Sequence, residues 1–220
     1  MNADWVSSLS FLRGNAAALL VLATAVLILV IPSLRLTLAG LVIQYLGMIL
    51  LYLDVIDPRL ALVKLMVGWF VCLMLFITGQ QINWGRGVRI QPMDVGGRVI
   101  PVTAVRGVLA LVMLGIAWLL AQQSLSFLLP ETMAALNFAL IGLISLGLLG
   151  VLTASDELLR AGMSVLMLLA GLELYATAIT PTQSVGGMAL LAGVNLAAAL
   201  VVAFLAQKRY VHKRNGRFHL

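Results

Sequence analysis

Seven long apolar runs divide this chain, at 16–31, 34–53, 60–78, 102–124, 132–153, 158–180 and 185–207, and no other feature limits its fold as much. A run of about 20 apolar residues is enough to carry an α-helix across a hydrocarbon core of roughly 30 Å. Each run is continuously apolar, without the two-residue alternation of an outer-membrane barrel strand, so helices are predicted. Pro58, Pro101, Pro130 and Pro181 fall at or beside predicted helix starts, where a missing N–H costs least, and Pro32 ends the first run. The predicted fold class is all-α: a polytopic membrane protein of about seven transmembrane helices.

Composition excludes the soluble alternative. Only 10% of the residues are charged and the mean hydropathy is +1.10, whereas a soluble domain carries about 25% charged residues. The net charge of +6 could suggest nucleic acid, but the basic residues lie between the apolar runs and in the tail. That is how membrane orientation is written, so no nucleic-acid partner is expected. The first run lacks the basic leader and small-residue cut site of a signal peptide and is read as the first span. Cys72 is the single cysteine, which leaves no disulfide within the chain.

Orientation follows from counting. With a cytoplasmic C-terminus, the inner side receives Arg35, Arg86, Arg89, Arg98, Arg106, Arg160, Lys208, Arg209, Lys213, Arg214 and Arg217. The outer side receives only Arg13 and Arg59. This asymmetry predicts an outer N-terminus and a cytoplasmic C-terminus. The chain then divides into a three-helix segment (1–79), a cytoplasmic loop (80–100), a four-helix segment (101–207) and a basic cytoplasmic tail (208–220) suited to anionic lipid or a partner subunit. The loop holds Trp84, three arginines, Gly85, Gly87, Gly96 and Gly97. It reads as an interfacial hairpin, a docking loop or a solvated linker anchored by Trp84.

The polar exceptions inside the runs carry the functional information. A charge in the hydrocarbon core costs about 2.5 kcal/mol or more and normally faces protein or a water-filled path. Glu173 stands about the middle of the sixth run, with Thr177 one turn later, where a hydroxyl can reach the carboxyl group. Such a carboxyl group either handles protons or ions, or is a neutral residue that ties helices together. Lys64, five residues beyond Arg59, either snorkels to the outer headgroups or partners a buried carboxylate. Asn195, in the seventh run, is an interhelical hydrogen-bonding residue or part of a polar path. Asp57 before Pro58 is suited to a helix N-cap, and Asp54 closes the other side of the same turn. Asp156 and Glu157 open the sixth helix beside Arg160, where they complement its dipole. Gly142, Gly147 and Gly150 in the fifth run, and Gly186, Gly187, Ala189, Gly193 and Ala197 in the seventh, permit close helix approach within the chain or against another subunit. No Ser/His/Asp or Cys/His arrangement, HExxH or P-loop occurs, and His212 and His219 both lie in the tail. No catalytic residue, metal site or cofactor is expected.

The stretch 143–152, the turn Thr153-Ala154-Ser155-Asp156-Glu157-Leu158-Leu159-Arg160 and the segment Met167-Leu168-Leu169-Ala170-Gly171-Leu172-Glu173-Leu174 resemble the K subunit of respiratory complex I and the C subunit of Mrp-type cation/proton antiporters. In that family a short turn leads into a helix with a Gly-Leu-Glu-Leu glutamate. The full length is similar to the hydrogenase-4 component E proteins, in which extra helices precede such a trio. The resemblance covers about 134–210 in its K-like part and the whole chain more loosely. It implies that Glu173 belongs to a series of buried ionisable groups, and that larger antiporter-like subunits, membrane lipid and protons or monovalent cations are the partners. It also implies residence in the cytoplasmic membrane of a prokaryote. Asn195 falls where the third K-like helix usually bears an acid, which suggests that a neighbour completes the path or that the chain is a connector. The expected function is a small non-catalytic subunit of an ion-translocating complex, with Glu173, Lys64, Asn195 and Thr177 along the path. The alternatives are a purely structural subunit and, with less in its favour, an independent permease.

Overall fold

Helices form where the apolar runs stand, and local chemistry sets their ends. The computed structural model describes residues 14–31, 33–82, 92–95, 98–123, 129, 133–154, 158–180 and 185–215. Expectations attached to Arg13, Pro32, Trp84, Gly85, Arg86, Gly87, Arg89, Gly96, Gly97, Pro130, Asp156, Glu157, Pro181 and the last five residues lie outside the described residues. The described helices are α1 (Asn15–Val30), α2 (Leu34–Tyr52), α3 (Pro58–Gln81), α4 (Val102–Ala121), α5 (Ala134–Thr153), α6 (Leu158–Ile179) and α7 (Val185–Asn215).

Asp57 caps α3 as expected. Its carboxylate accepts the Arg59 backbone N–H at 2.9 Å, and Pro58 occupies the first turn, where no donor is required. At the start of α2 the Thr37 hydroxyl lies 2.8 Å from the Ser33 carbonyl and 3.0 Å from that of Ile31, holding the short link from α1 against the new helix. Between α3 and α4 an antiparallel pair of short strands, β1 (Pro92–Val95) and β2 (Arg98–Pro101), sets Pro92 opposite Pro101 and Val95 opposite Arg98. Of the readings open for the loop, this part of it is a hairpin.

Six helices, α2 to α7, are long and apolar enough to cross a membrane. The 16-residue α1 covers about 24 Å at 1.5 Å per residue, less than the hydrocarbon core. Large apolar side chains such as Trp69 and Phe70 on α3, Leu111 and Leu119 on α4, and Leu190 and Phe204 on α7 point outward and are exposed. An apolar surface of this extent belongs in lipid, and the chain is a multi-pass membrane protein. The basic segment beginning at Lys208, expected as a tail separate from the last helix, instead continues α7 as far as Asn215.

The bundle is built around α1. Ala18, Val21, Ala25, Ile28 and Leu29 of that helix are fully enclosed, and it packs on α2, α4, α5 and α6. The tightest approach joins α5 to α6. A Cβ on Gly147 would come within 2.8 Å of the Leu168 nitrogen and 2.9 Å of the Ser164 carbonyl, backbone atoms with no room to yield. The fifth-run glycines therefore serve packing within the chain, whereas Gly193 on α7 has no neighbour within reach of an added Cβ. On the remaining flank α2 packs on α3, α3 on α7 and α7 on α6. These four helices surround the site.

Candidate functional site

Glu173 projects from α6 and Lys64 from α3, and both are buried. The Lys64 ammonium donates to Glu173 Oε1, closing an ion pair between side chains 109 residues apart in sequence. Of the two readings open for Lys64, the snorkelling one does not describe the structure: the amine turns inward to a carboxylate of its own chain. It also lies 4.7 Å from the centroid of the Tyr52 ring on α2, whose electron-rich face favours a cation.

The other carboxylate oxygen is engaged as well. Asn195 Nδ2 on α7 donates to Glu173 Oε2 at 2.8 Å, so the interhelical hydrogen bond foreseen for Asn195 is made, and made to the glutamate itself. Four helices thus contribute to one carboxylate: α6 supplies it, α3 the cation, α7 an amide and α2 an aromatic face. Removing two charges from water is costly, and an arrangement of this kind offsets the cost only when both partners keep their hydrogen bonds.

Thr177 departs from expectation. Its hydroxyl donates to the backbone carbonyl of Glu173 at 2.7 Å, not to the carboxyl group. A threonine inside a helix readily bonds the carbonyl four residues back, and that local bond takes its one hydrogen. Thr177 therefore donates to the backbone of the glutamate and not to its carboxylate. Glu173 itself lies past the middle of α6, six residues before its Ile179 end.

A small cleft, partly open to the surroundings, adjoins the pair and is lined by Tyr45, Tyr52, Lys64, Glu173 and Asn195 together with apolar side chains. Sequence reasoning missed the α2 wall. Tyr45 and Tyr52 are seven residues apart and share a helix face, and Gln44 is the amide of an otherwise apolar run; that spacing and that exception were the available signals.

Two arginines counted as inner-loop charges also prove to be buried. Arg106, in the second turn of α4, donates through Nη2 to the carbonyl of Thr153 at 2.7 Å, satisfying an acceptor at the C-terminal end of α5. Arg160, near the start of α6, is only 1% exposed. Among the described residues, no three His, Cys, Asp or Glu side chains come together as a metal would require.

Comparison with known proteins assigns no kinship: no family model, curated protein or solved structure matches the chain.

Proposed function

We propose that this chain is a small, non-catalytic membrane subunit of a proton- or cation-translocating complex, with Glu173 as its exchanging group. The observation that carries the reading is the Lys64–Glu173 ion pair beside a cleft, within largely apolar helices. Buried charge of this kind is expensive and in membrane proteins usually marks an ion or proton route. The ammonium and carboxylate share one proton between them. A proton that arrives from the cleft and bonds to Glu173 is therefore matched by one released from the Lys64 N–H. Transfer of the carboxyl proton to the amine then restores the ion pair without rearrangement of the backbone.

The Gly171-Leu172-Glu173-Leu174 segment, with its likeness to the K-type subunits of complex I and Mrp antiporters, supports the same reading. Candidate hosts are a complex I relative, a group 4 membrane-bound hydrogenase and an Mrp-like antiporter. In this reading seven helices cross the cytoplasmic membrane with the N-terminus outside. The small residues Ala189, Gly193 and Ala197, exposed along α7, then face a larger antiporter-like subunit.

A structural role is the second reading, favoured by one observation: both carboxylate oxygens already have partners. Glu173→Gln alone does not separate the two, because it leaves the Lys64 charge buried without a counter-charge. The deciding comparison adds the neutral double variant Lys64→Met/Glu173→Gln, with ion translocation in membrane vesicles normalised to assembled complex. Translocation stays lost in the double variant if Glu173 exchanges protons or ions. Recovery of full translocation together with assembly would leave only the structural reading.

A further inference from the structure

One turn beyond Lys64, on the same face of α3, stands the buried Gly68. A Cβ built on it would come within 2.6 Å of both Cγ and Cδ1 of Tyr45 and within 3.1 Å of the Tyr45 Cβ. The ring carried by α2 therefore rests against α3 at the place where an ordinary residue would hold its side chain. Glycine inside a helix is a weaker choice than alanine. Gly115 and Gly193 have nothing within reach of an added Cβ, so a methyl group would fit at either. At Gly68 it does not. Among the described glycines with close neighbours, Gly68 alone meets a side chain that lines the cleft at the ion pair.

Tyr45 has open space on its other side. It lines the cleft together with Lys64, Glu173 and Asn195, and it also lines a smaller cavity shared with Gln44, Met48 and Met167. Carbon atoms pack best at about 3.5–4.0 Å, so a methyl group on residue 68 would drive the ring back by roughly 1 Å. The α3 backbone cannot yield that distance without breaking its own ladder, and the slack beside the ring lies in the two spaces it lines. The enclosed part of the cleft has room for about one water molecule, so a shift of that size takes up much of its width.

We propose that Gly68 is a positioning residue for the site: having no side chain, it seats the Tyr45 ring against α3 and keeps the approach to Glu173 open. That this opening governs ion passage rests on the exchanging role proposed for Glu173; the seating of the ring does not.

The seat is tested in the unaltered full chain in lipid nanodiscs, carrying ring-labelled tyrosine and Cα-labelled glycine. Carbon–carbon solid-state NMR is expected to give a cross-peak between the Tyr45 ring and Gly68, identified by its loss in Tyr45→Phe. Its absence would overturn the proposal without any change at residue 68 having to be tolerated. Ion translocation in membrane vesicles, normalised to assembled complex, supplies the functional half. Gly68→Ala should lower it about ten-fold, since a misplacement of about 1 Å can cost that much or more. Adding Tyr45→Leu, which removes the ring that the methyl group strikes, should recover about five-fold of that loss. A double variant no better than Gly68→Ala would overturn the proposal, as would a Gly68→Ala complex that translocates at the unaltered rate. Where Gly68→Ala does not assemble, the double variant is expected to, and failure of both overturns the proposal too. Full translocation in the Lys64→Met/Glu173→Gln complex together with the cross-peak keeps the seat and removes the exchanging role of Glu173. A missing cross-peak alongside lost translocation in that complex does the reverse.

Discussion

Lys64 and Glu173 meet at one depth from opposite chain directions. Lys64 is six residues past the Pro58 start of α3, and Glu173 is six residues before the Ile179 end of α6. Each therefore lies about 9 Å in from a helix end at the same face of the bundle. The match in depth lets a short carboxylate and a long amine close on each other within the protein instead of reaching separately for water.

The pair should behave as a unit in stability measurements. Lys64→Met or Glu173→Gln alone strands one buried charge and is expected to cost about 3–5 kcal/mol. The double variant should lie within about 1–2 kcal/mol of the unaltered protein, because a neutral pair of similar volume carries no uncompensated charge. Reversible unfolding in mixed micelles gives the coupling through a double-mutant cycle. Additive single effects would mean that the two side chains do not depend on each other.

Asn195 supplies the second donor to the carboxylate, so Asn195→Leu should cost about 2 kcal/mol, as expected for a hydrogen bond to a charged acceptor. Asn195→Asp should cost more, since it places a second negative charge where an amide donor stood. The order of the two variants in the same unfolding assay is the check. An aspartate variant more stable than the leucine variant would contradict the observed donor geometry.

Much of this was legible in the sequence, and the limits have physical causes. The ends of α2 and α6 fall within a residue or so of expectation, because apolar runs bounded by turn residues are local signals. The end of α7 was missed because a helix does not have to stop at the membrane edge: the polar residues after Gln207 are good helix formers, and no Gly or Pro intervenes before Gly216. Glu173 stood out as a charge in an apolar run. Its attachment to Lys64 was only one of two open readings, since nothing local ties residues 109 positions apart. Arg160 looked like a loop charge because its burial depends on how neighbouring helices close over the first turn of α6. Gln44 and Tyr52 carry no charge and gain meaning only beside the cavities they line.

Packing at the glycines gives a paired prediction. Gly147→Leu drives a side chain into the backbone of α6 and should destabilise by about 3 kcal/mol or prevent folding. Gly193→Ala meets open space and should change stability by less than about 0.5–1 kcal/mol, with better helix propensity in its favour. Thermal denaturation in one detergent compares them. Equal effects would remove the close α5–α6 approach.

Cys72 offers a probe that needs no substitution. It is a free thiol buried in α3. A maleimide should modify it at least about ten-fold more slowly in the folded protein than after denaturation in SDS, because reaction requires local opening. Rapid modification under native conditions would place α3 outside the packed bundle.

The separation of Lys64 from Glu173 along the chain also imposes an order on assembly. Chains are made from the N-terminus, so α3 enters the bilayer before α6 has been synthesised. During that interval the ammonium must be tolerated without its counter-ion, at an insertion cost below the roughly 2.5–3.5 kcal/mol of a charge at a helix centre. The rest of α3, with Leu, Val, Met, Trp and Phe on either side of the lysine, supplies the hydrophobicity to hold the segment in place meanwhile. The arrival of α6 then ends the wait, and the first half of the protein is left incomplete until the second has been translated.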